Sequence, residues 1–182
     1  MKLKSLYLAL YNRVNVIGWL IIFFMNLTNP IQCCKILTFF QLFMVMDVLH
    51  AILKFTSSKP LIVFIQIASR VYLIAIFAQN YPIYCIFWRL MVGAWASAEV
   101  VRYQYYSFQT LKWLRYSAFL LLYPIGVFFG EIPLIYQHFQ RQFNVLDLIA
   151  LLIYVPGFPL LFKHMLIARK RVLKQRKQEQ SQ

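Results

Sequence analysis

The chain reads LRYSAFLLLYPIGVFFGEI from residue 114 to residue 132, and this stretch is almost entirely apolar. A membrane-spanning helix needs about 20 mostly apolar residues, so the stretch predicts one span. Five further apolar stretches lie at 6–27, 36–53, 61–78, 83–101 and 145–162. We therefore predict an all-α, polytopic membrane protein with six transmembrane helices.

The composition of the 182-residue chain supports this prediction. It is 62% hydrophobic and only 13% charged, whereas an ordinary soluble domain carries about 25% charged residues. Six spans leave about 60 residues for loops and ends, too few for a separate soluble catalytic domain. We expect residues 1–173 to form one transmembrane domain, and residues 174–182 to be a disordered, basic and Gln-rich cytosolic tail.

Lysine and arginine are distributed unevenly between alternate connections of the predicted spans. The N-terminus, the second and fourth connections and the tail contain 15 of the 19 basic residues, whereas the other connections contain only Lys35 and Arg141. Cytoplasmic loops carry the excess of Lys and Arg, so both termini are predicted to be cytosolic. The net charge of +14 is then explained by topology and membrane lipid, and we expect no nucleic acid partner.

Ionisable side chains within the predicted spans need partners, because hydrocarbon disfavours them. Asp47 and His50 are three residues apart, on one face of a helix, and we interpret them as a hydrogen-bonding pair between helices. Glu99 and Arg102 have the same spacing near the cytosolic end of the fourth span. This second pair is compatible with a simple interfacial ion pair.

The depths of four other polar side chains permit a pocket. A helix rises about 1.5 Å per residue, so Arg70 and Tyr123 both lie about 14 Å from the cytosolic ends of their spans. Arg89 and Glu131 both lie toward the far side. If these helices are neighbours, they enclose a phenol, a carboxyl group and two guanidinium groups, but the sequence does not show which helices are neighbours.

The fifth span also contains Pro124, Gly126 and Gly130. Proline removes a backbone donor and glycine lowers helix propensity, so the helix is expected to loosen or kink beside Tyr123 and Glu131. A phenol and a carboxyl group can transfer protons, but they equally fit a kinked packing helix whose Glu131 lies near the headgroups. These residues alone favour the packing helix.

Signals for metals and cofactors are absent from the sequence. It contains no Gly-rich phosphate loop and no His, Cys and carboxylate group at metal-ligand spacing. We therefore expect no metal and either cofactor-free chemistry or no chemistry.

Several short motifs cover nearly the whole chain. They are YLALYN at 7–12, GW at 18–19, QIASR at 66–70, WASAEVVRY at 95–103, LRY at 114–116, LYPIGV at 122–127 and VPGFP at 155–159. In this order they resemble the very-long-chain 3-hydroxyacyl-CoA dehydratases, also called protein-tyrosine-phosphatase-like A proteins. Several separated motifs make the resemblance more specific than any one of them.

The resemblance implies a lyase of the endoplasmic reticulum membrane that catalyses the third step of fatty-acid elongation. That step removes water from a very-long-chain (3R)-3-hydroxyacyl-CoA and gives the trans-2-enoyl-CoA. The catalytic pair of the family is a Tyr and a Glu on the fifth span, and these match Tyr123, through its Tyr-Pro-Ile-Gly-Val context, and Glu131. The elongase and the reductases of the same cycle are expected partners.

One spacing differs from the family pattern. The family places the Glu seven residues after the Tyr, whereas Glu131 follows Tyr123 by eight. At about 100° per residue, seven steps leave the two side chains about 20° apart and eight leave them about 80° apart. A one-residue π-bulge would absorb the additional residue, and we favour it. The alternative is a weakened or inactive member that serves as a membrane scaffold for elongation enzymes.

Dehydration requires one group that removes the proton alpha to the thioester and one that protonates the departing hydroxyl. We assign Glu131 as the base and Tyr123 as the acid or orienting donor, and the reverse assignment stays open. Arg70, or a backbone N–H near Gly126, is a candidate to stabilise the enolate-like oxygen. Further supporting residues are expected to be Glu99, Arg102, Tyr103 and Arg115.

The substrate suggests how it would lie in the membrane. A very long acyl chain fits between apolar helices, while the anionic CoA head is expected at the cytosolic face near Lys112 and Arg115. Topology and lipid contact explain those two basic residues equally well.

Overall fold

The computed structural model describes residues 2–56, 58–80, 85–108 and 112–180. Its helices are α1 (Lys2–Thr28), α2 (Pro30–Phe43), α3 (Val45–Ile52), α4 (Pro60–Asn80), α5 (Ile86–Phe108), α6 (Lys112–Gly126), a π-helix (Val127–Glu131), α7 (Ile132–Arg141) and α8 (Val145–Gln180). Only short turns interrupt these helices within the described ranges, so the all-α prediction is confirmed there.

Helix boundaries follow from local signals in the sequence. The Asn29 side chain accepts a hydrogen bond of 3.2 Å from the backbone N–H of Gln32 and caps α2. Pro30 and Pro60 stand at the starts of α2 and α4, where a missing backbone N–H has no helical partner to lose. α2 and α3 are separated only by Met44, so they follow one another as a nearly continuous segment.

Four segments of the described chain are long and apolar enough to cross a membrane. They are Leu3–Thr28, Pro30–Ile52, Trp113–Arg141 and Val145–Lys174. The part of α4 at Pro60–Ile76 is apolar but shorter, and α5 carries Arg89, Glu99 and Arg102 among its 23 residues. The helices thus have the length and composition of a membrane protein.

α1 and α5 form the centre of the bundle and pack more extensively on one another than any other pair of helices. Trp19 and Trp88 are buried there, and the Asn26 amide donates a 2.9 Å hydrogen bond to the carbonyl of Arg89. α5 also packs on α6 and the π-helix, α8 on α6 and α7, and α4 on α2 and α3. In this arrangement, polar side chains of α4, α5, the π-helix and α8 contact one another.

A buried carboxylate ties α4, α7 and α8 together. The Nδ1 atom of His138 lies 2.5 Å from Oδ2 of Asp147, and the Tyr72 hydroxyl donates a 2.8 Å hydrogen bond to Oδ1. Asp147 has no exposed surface, so the cost of burying its carboxylate is offset by both partners. The first turn of α8 is therefore fixed against α4 and α7.

The C-terminal segment differs from the sequence prediction. We expected a disordered tail from Lys174, but α8 continues to Gln180. The segment is composed mainly of Lys, Arg, Gln and Glu, all of which have high helix propensity. A helix that is already nucleated in the span can therefore continue through them.

The π-helix packs on α5 without room for a side chain at Gly130. A Cβ atom added there would lie 2.7 Å from Cβ and 2.8 Å from Cα of Met91. These distances are too short for carbon atoms, and the α5 backbone cannot move aside as a flexible side chain would. Glycine at position 130 therefore sets how closely the π-helix approaches α5.

Replacing Gly130 by alanine is expected to destabilise the protein by about 1–3 kcal/mol through overpacking. The matched control is Gly157→Ala, whose added Cβ would meet Ile153 Cγ2 at an ordinary 3.8 Å. Thermal unfolding in detergent should show a lower midpoint for the first variant only. Equal midpoints for both variants would contradict the close packing of the π-helix on α5.

Candidate active site

The π-helix occupies the segment between Tyr123 and Glu131. Eight residues separate these side chains, and an unbroken α-helix would leave them about 80° apart. The sequence predicted that a π-type distortion absorbs the additional residue, and the π-helix at Val127–Glu131 confirms this prediction. Pro124 lies in α6, three residues before the π-helix begins, where its missing N–H weakens the regular hydrogen-bond ladder.

Tyr123 and Glu131 both contact α8. The Tyr154 hydroxyl donates a hydrogen bond to Oε2 of Glu131, and the Phe158 ring stacks on the Tyr123 ring with 4.9 Å between centroids and 2° between planes. Tyr154 and Phe158 are four residues apart and thus lie on one face of α8. The two side chains predicted as the catalytic pair are therefore both directed toward that face.

Both oxygen atoms of the Glu131 carboxyl group accept hydrogen bonds. Trp95 Nε1 donates to Oε1 over 2.7 Å, and Tyr154 donates to Oε2. Arg70 also interacts electrostatically with Glu131. A carboxylate accepts such bonds at either oxygen, so α5 and α8 hold the group in one orientation, directed into the bundle rather than out of it.

Stacking holds the Tyr123 ring in place. Phe158 and Phe162 lie parallel to it, at centroid distances of 4.9 and 6.4 Å. These contacts fix the plane of the ring. None of the hydrogen bonds found among the described residues uses the hydroxyl group of Tyr123.

A network of charged side chains lies next to Trp95, which binds the carboxyl group of Glu131. Arg70 NH1 lies 2.6 Å from Oε1 of Glu99, and Arg102 Nε lies 2.7 Å from Oε2 of the same residue. The Arg70 guanidinium also stacks on the Trp95 ring, 5.0 Å from its centroid. The predicted ion pair of Glu99 with Arg102 is thus present, and Glu99, only 2% exposed, also connects the fourth predicted span to the third through Arg70.

The network continues to Asp47 on α3. Oδ2 of Asp47 accepts hydrogen bonds from Arg102 over 2.8 Å and from the Tyr103 hydroxyl over 2.7 Å. His50 lies further away, with 3.8 Å between its Nδ1 and Oδ1 of Asp47, and its Nε2 is 2.9 Å from the hydroxyl of Tyr7. The two residues predicted as a hydrogen-bonding pair thus have their closest polar contacts with other residues.

Arg115 is placed away from the catalytic pair. Its guanidinium donates a 2.9 Å hydrogen bond to the Tyr106 hydroxyl and stacks on Tyr105, 4.6 Å from the ring centroid. It therefore lies where α5 ends and α6 begins. The side chain of Lys112, predicted beside it, lies outside the described residues.

Two further predicted positions have packing roles in the structure. A Cβ atom at Gly126 would lie 3.3 Å from the Ala94 Cβ, so this glycine permits close contact between α5 and α6. Arg89 donates a 3.3 Å hydrogen bond to the carbonyl of Leu27. The predicted pocket with two guanidinium groups is thus wrong in one member, because the α1–α5 interface holds Arg89.

Sequence reasoning missed Trp95 and Tyr154 as partners of Glu131. The only available signal was chemical: an indole N–H or a phenol within an apolar span needs a hydrogen-bond partner. Both residue types occur at many positions of this chain, so that signal does not select these two. For metals, no group of three His, Cys, Asp or Glu side chains is found in the described part of the chain.

Comparison with known proteins identifies the family. The family model described as "Protein tyrosine phosphatase-like protein, PTPLA" matches residues 41–175. Very-long-chain (3R)-3-hydroxyacyl-CoA dehydratase 1 of Ovis aries is 29% identical, with 94% of this chain and 72% of the relative covered. The probable very-long-chain (3R)-3-hydroxyacyl-CoA dehydratase of Schizosaccharomyces pombe is also 29% identical, with 94% and 95% covered.

A plant relative extends the comparison. Very-long-chain (3R)-3-hydroxyacyl-CoA dehydratase PASTICCINO 2 of Arabidopsis thaliana is 28% identical, with 97% of this chain and 96% of the relative covered. No solved structure matches the chain. Since the family model covers well over half of its residues, the chain belongs to the protein tyrosine phosphatase-like PTPLA family.

Proposed function

We propose that this protein dehydrates very-long-chain (3R)-3-hydroxyacyl-CoA to the trans-2-enoyl-CoA, the third step of fatty-acid elongation. The relatives compared above are named as very-long-chain (3R)-3-hydroxyacyl-CoA dehydratases. The observation that carries the proposal is the π-helix, which accommodates the eight-residue spacing while Tyr123 and Glu131 both face α8. The scaffold alternative depended on that spacing, so we favour the enzyme.

The proposed reaction uses two proton transfers. Glu131 takes the proton from C2, and the electron pair of the C2–H bond forms the C2=C3 double bond. The C3–O bond breaks, and the departing hydroxyl takes the proton of Tyr123 and leaves as water. Return of a proton from Glu131 to Tyr123 restores the site, and each positioned group of this kind contributes typically 10²–10⁴-fold to a rate.

The surrounding residues support these two roles. Trp95 and Tyr154 orient the carboxylate, and the stacking of Tyr123 on Phe158 orients the phenol. Arg70 provides positive charge close to Glu131, where the enolate-like oxygen of the thioester would develop. We propose that Glu99, Arg102 and Tyr103 act indirectly, by holding Arg70 in place.

The setting is proposed to be the endoplasmic reticulum membrane, with six spans and both termini in the cytosol. The CoA head would lie at the cytosolic face near Lys112 and Arg115. A guanidinium stacked on tyrosine rings, as Arg115 is, keeps N–H groups at its edge for phosphate oxygens. The elongase and reductases of the same cycle are the proposed partners, because they supply the substrate and consume the product.

Removing either proton-transfer group should abolish most of the activity. We expect Glu131→Gln and Tyr123→Phe each to lower kcat about 10²–10⁴-fold, measured in detergent as conversion of a long-chain 3-hydroxyacyl-CoA to the enoyl-CoA. Tyr136→Phe is the matched control, because Tyr136 is exposed and its hydroxyl accepts a hydrogen bond only from Gln140 within the described chain. Full activity in both active-site variants, at normal expression, would refute the assigned pair.

The length of the segment between the pair can be tested directly. Deletion of Phe129 should convert the π-helix into continuous α-helix with a seven-residue spacing, and activity should be retained because the side chains stay within about 20°. Insertion of one alanine after Phe129 should rotate Glu131 by about 100° and abolish activity. Activity in the insertion variant equal to that of the unchanged protein would contradict the proposed register.

The proposed topology predicts the accessibility of three sites in cells. Epitopes at the two termini should bind antibody when only the plasma membrane is permeabilised. An epitope inserted after Gln142, in the exposed turn between α7 and α8, should bind only after the internal membranes are also opened. Lumenal accessibility of one terminus would show an odd number of spans.

A further inference from the structure

An open apolar groove lies between the π-helix with the start of α7 on one side and α8 on the other. Phe128 and Ile132 form one wall, and Leu151, Val155 and Phe158 form the other. The groove has a volume of about 410 Å³, which is within the usual 300–1,000 Å³ of small-molecule sites. Among the described residues, Tyr154 is the one polar residue that lines it.

Two lining residues of the groove contact the candidate catalytic pair. Tyr154 lines it and donates a hydrogen bond to Glu131, while Phe158 lines it and stacks on Tyr123. Phe128 packs on Phe158, with 4.5 Å between ring centroids. A molecule whose reactive carbons lie between Tyr123 and Glu131 would therefore have this groove as its adjoining apolar space.

The outer side of the groove faces away from the bundle. α8 contains the least buried of the four candidate spans. Of its apolar 18-residue stretch, 6% is buried inside the bundle, whereas the share is 28–33% in the other three spans. Val155, on the groove wall, is 73% exposed. In a membrane this surface contacts hydrocarbon, so an apolar chain can enter from the side without crossing water.

We propose that this groove binds the acyl chain of the substrate next to its reactive carbons, and that the chain enters it sideways from the membrane. The proposal rests on the proposed dehydratase function and adds to it a binding subsite. The occupant is an unbranched hydrocarbon chain, because the walls offer apolar and aromatic surface and a single hydroxyl group that Glu131 already engages. The walls of the groove then contribute to chain-length preference.

Filling the groove should change which substrates are accepted. We expect Leu151→Trp and Val155→Trp to lower kcat/KM for a very-long-chain 3-hydroxyacyl-CoA about 10- to 200-fold, a range typical of misfit in an apolar pocket. A short-chain 3-hydroxyacyl-CoA should be affected much less. Leu152→Trp is the matched control, because Leu152 is exposed and does not line the groove.

Three results would overturn the subsite. They are an equal loss for short and long substrates, no loss in either groove variant, and the same selective loss in Leu152→Trp. Val155→Trp covers the possibility that Leu151→Trp fails to fold, because the exposed Val155 side chain can be enlarged without displacing core residues. Occupation of the groove by membrane lipid alone would leave the chain-length profile of both variants unchanged.

A failure of the proposed function would give a different result. The unchanged protein would then dehydrate no substrate of any length. In that case a saturated very-long-chain acyl-CoA with a diazirine in its chain tests the groove by photo-crosslinking. Labelling at Leu151 or Val155 would support the subsite without any reaction, and labelling confined to other helices would overturn it.

Discussion

The carboxyl group of Glu131 is the constraint on which the arrangement of this protein depends. A carboxyl group within an apolar span is costly unless it finds partners inside the bundle. Here the π-helix directs it to Trp95 on one side and Tyr154 on the other. The positions of α5 and α8 relative to the fifth span are thereby fixed around one polar group, and Gly130 permits the close approach to α5 that this requires.

The charged network extends that constraint from the carboxyl group to the third predicted span. Arg70 contacts both Trp95 and Glu99, so the indole that binds Glu131 also carries a guanidinium on its face. Arg102 shares Glu99 and reaches Asp47. Two guanidinium groups and two carboxylates compensate one another, which is how buried charges are tolerated. Removing one member would leave its neighbour without a partner and would change the support of Trp95.

The features that were predicted correctly from the sequence depend on residue spacing within a single helix. Apolar stretches of the right length predicted the helices. The π-type distortion was predicted from the resemblance, because the family pattern has seven residues from Tyr to Glu where this chain has eight. Contacts between helices were not predictable in this way. Tyr154 and Trp95 became visible as partners only when the rotation of α5 and α8 was known, and Arg89 was misplaced for the same reason.

Polar contacts anchor α8 at two distant points. Asp147 binds Tyr72 and His138 near its start, and Arg169 donates a 3.2 Å hydrogen bond to the Ser117 hydroxyl. The 22 residue steps from Asp147 to Arg169 correspond to about 33 Å of helix, close to the thickness of the hydrocarbon core of a bilayer.

The middle of α8 therefore depends on local contacts for its position. Pro156 and Pro159 remove two backbone donors there, and the contacts of Tyr154 with Glu131 and of Phe158 with Tyr123 are among those that hold it. The same two residues line the open groove. A chain that enters the groove thus meets the part of α8 that contacts both Tyr123 and Glu131, so the proposed function implies that chain binding and the alignment of these two side chains are coupled.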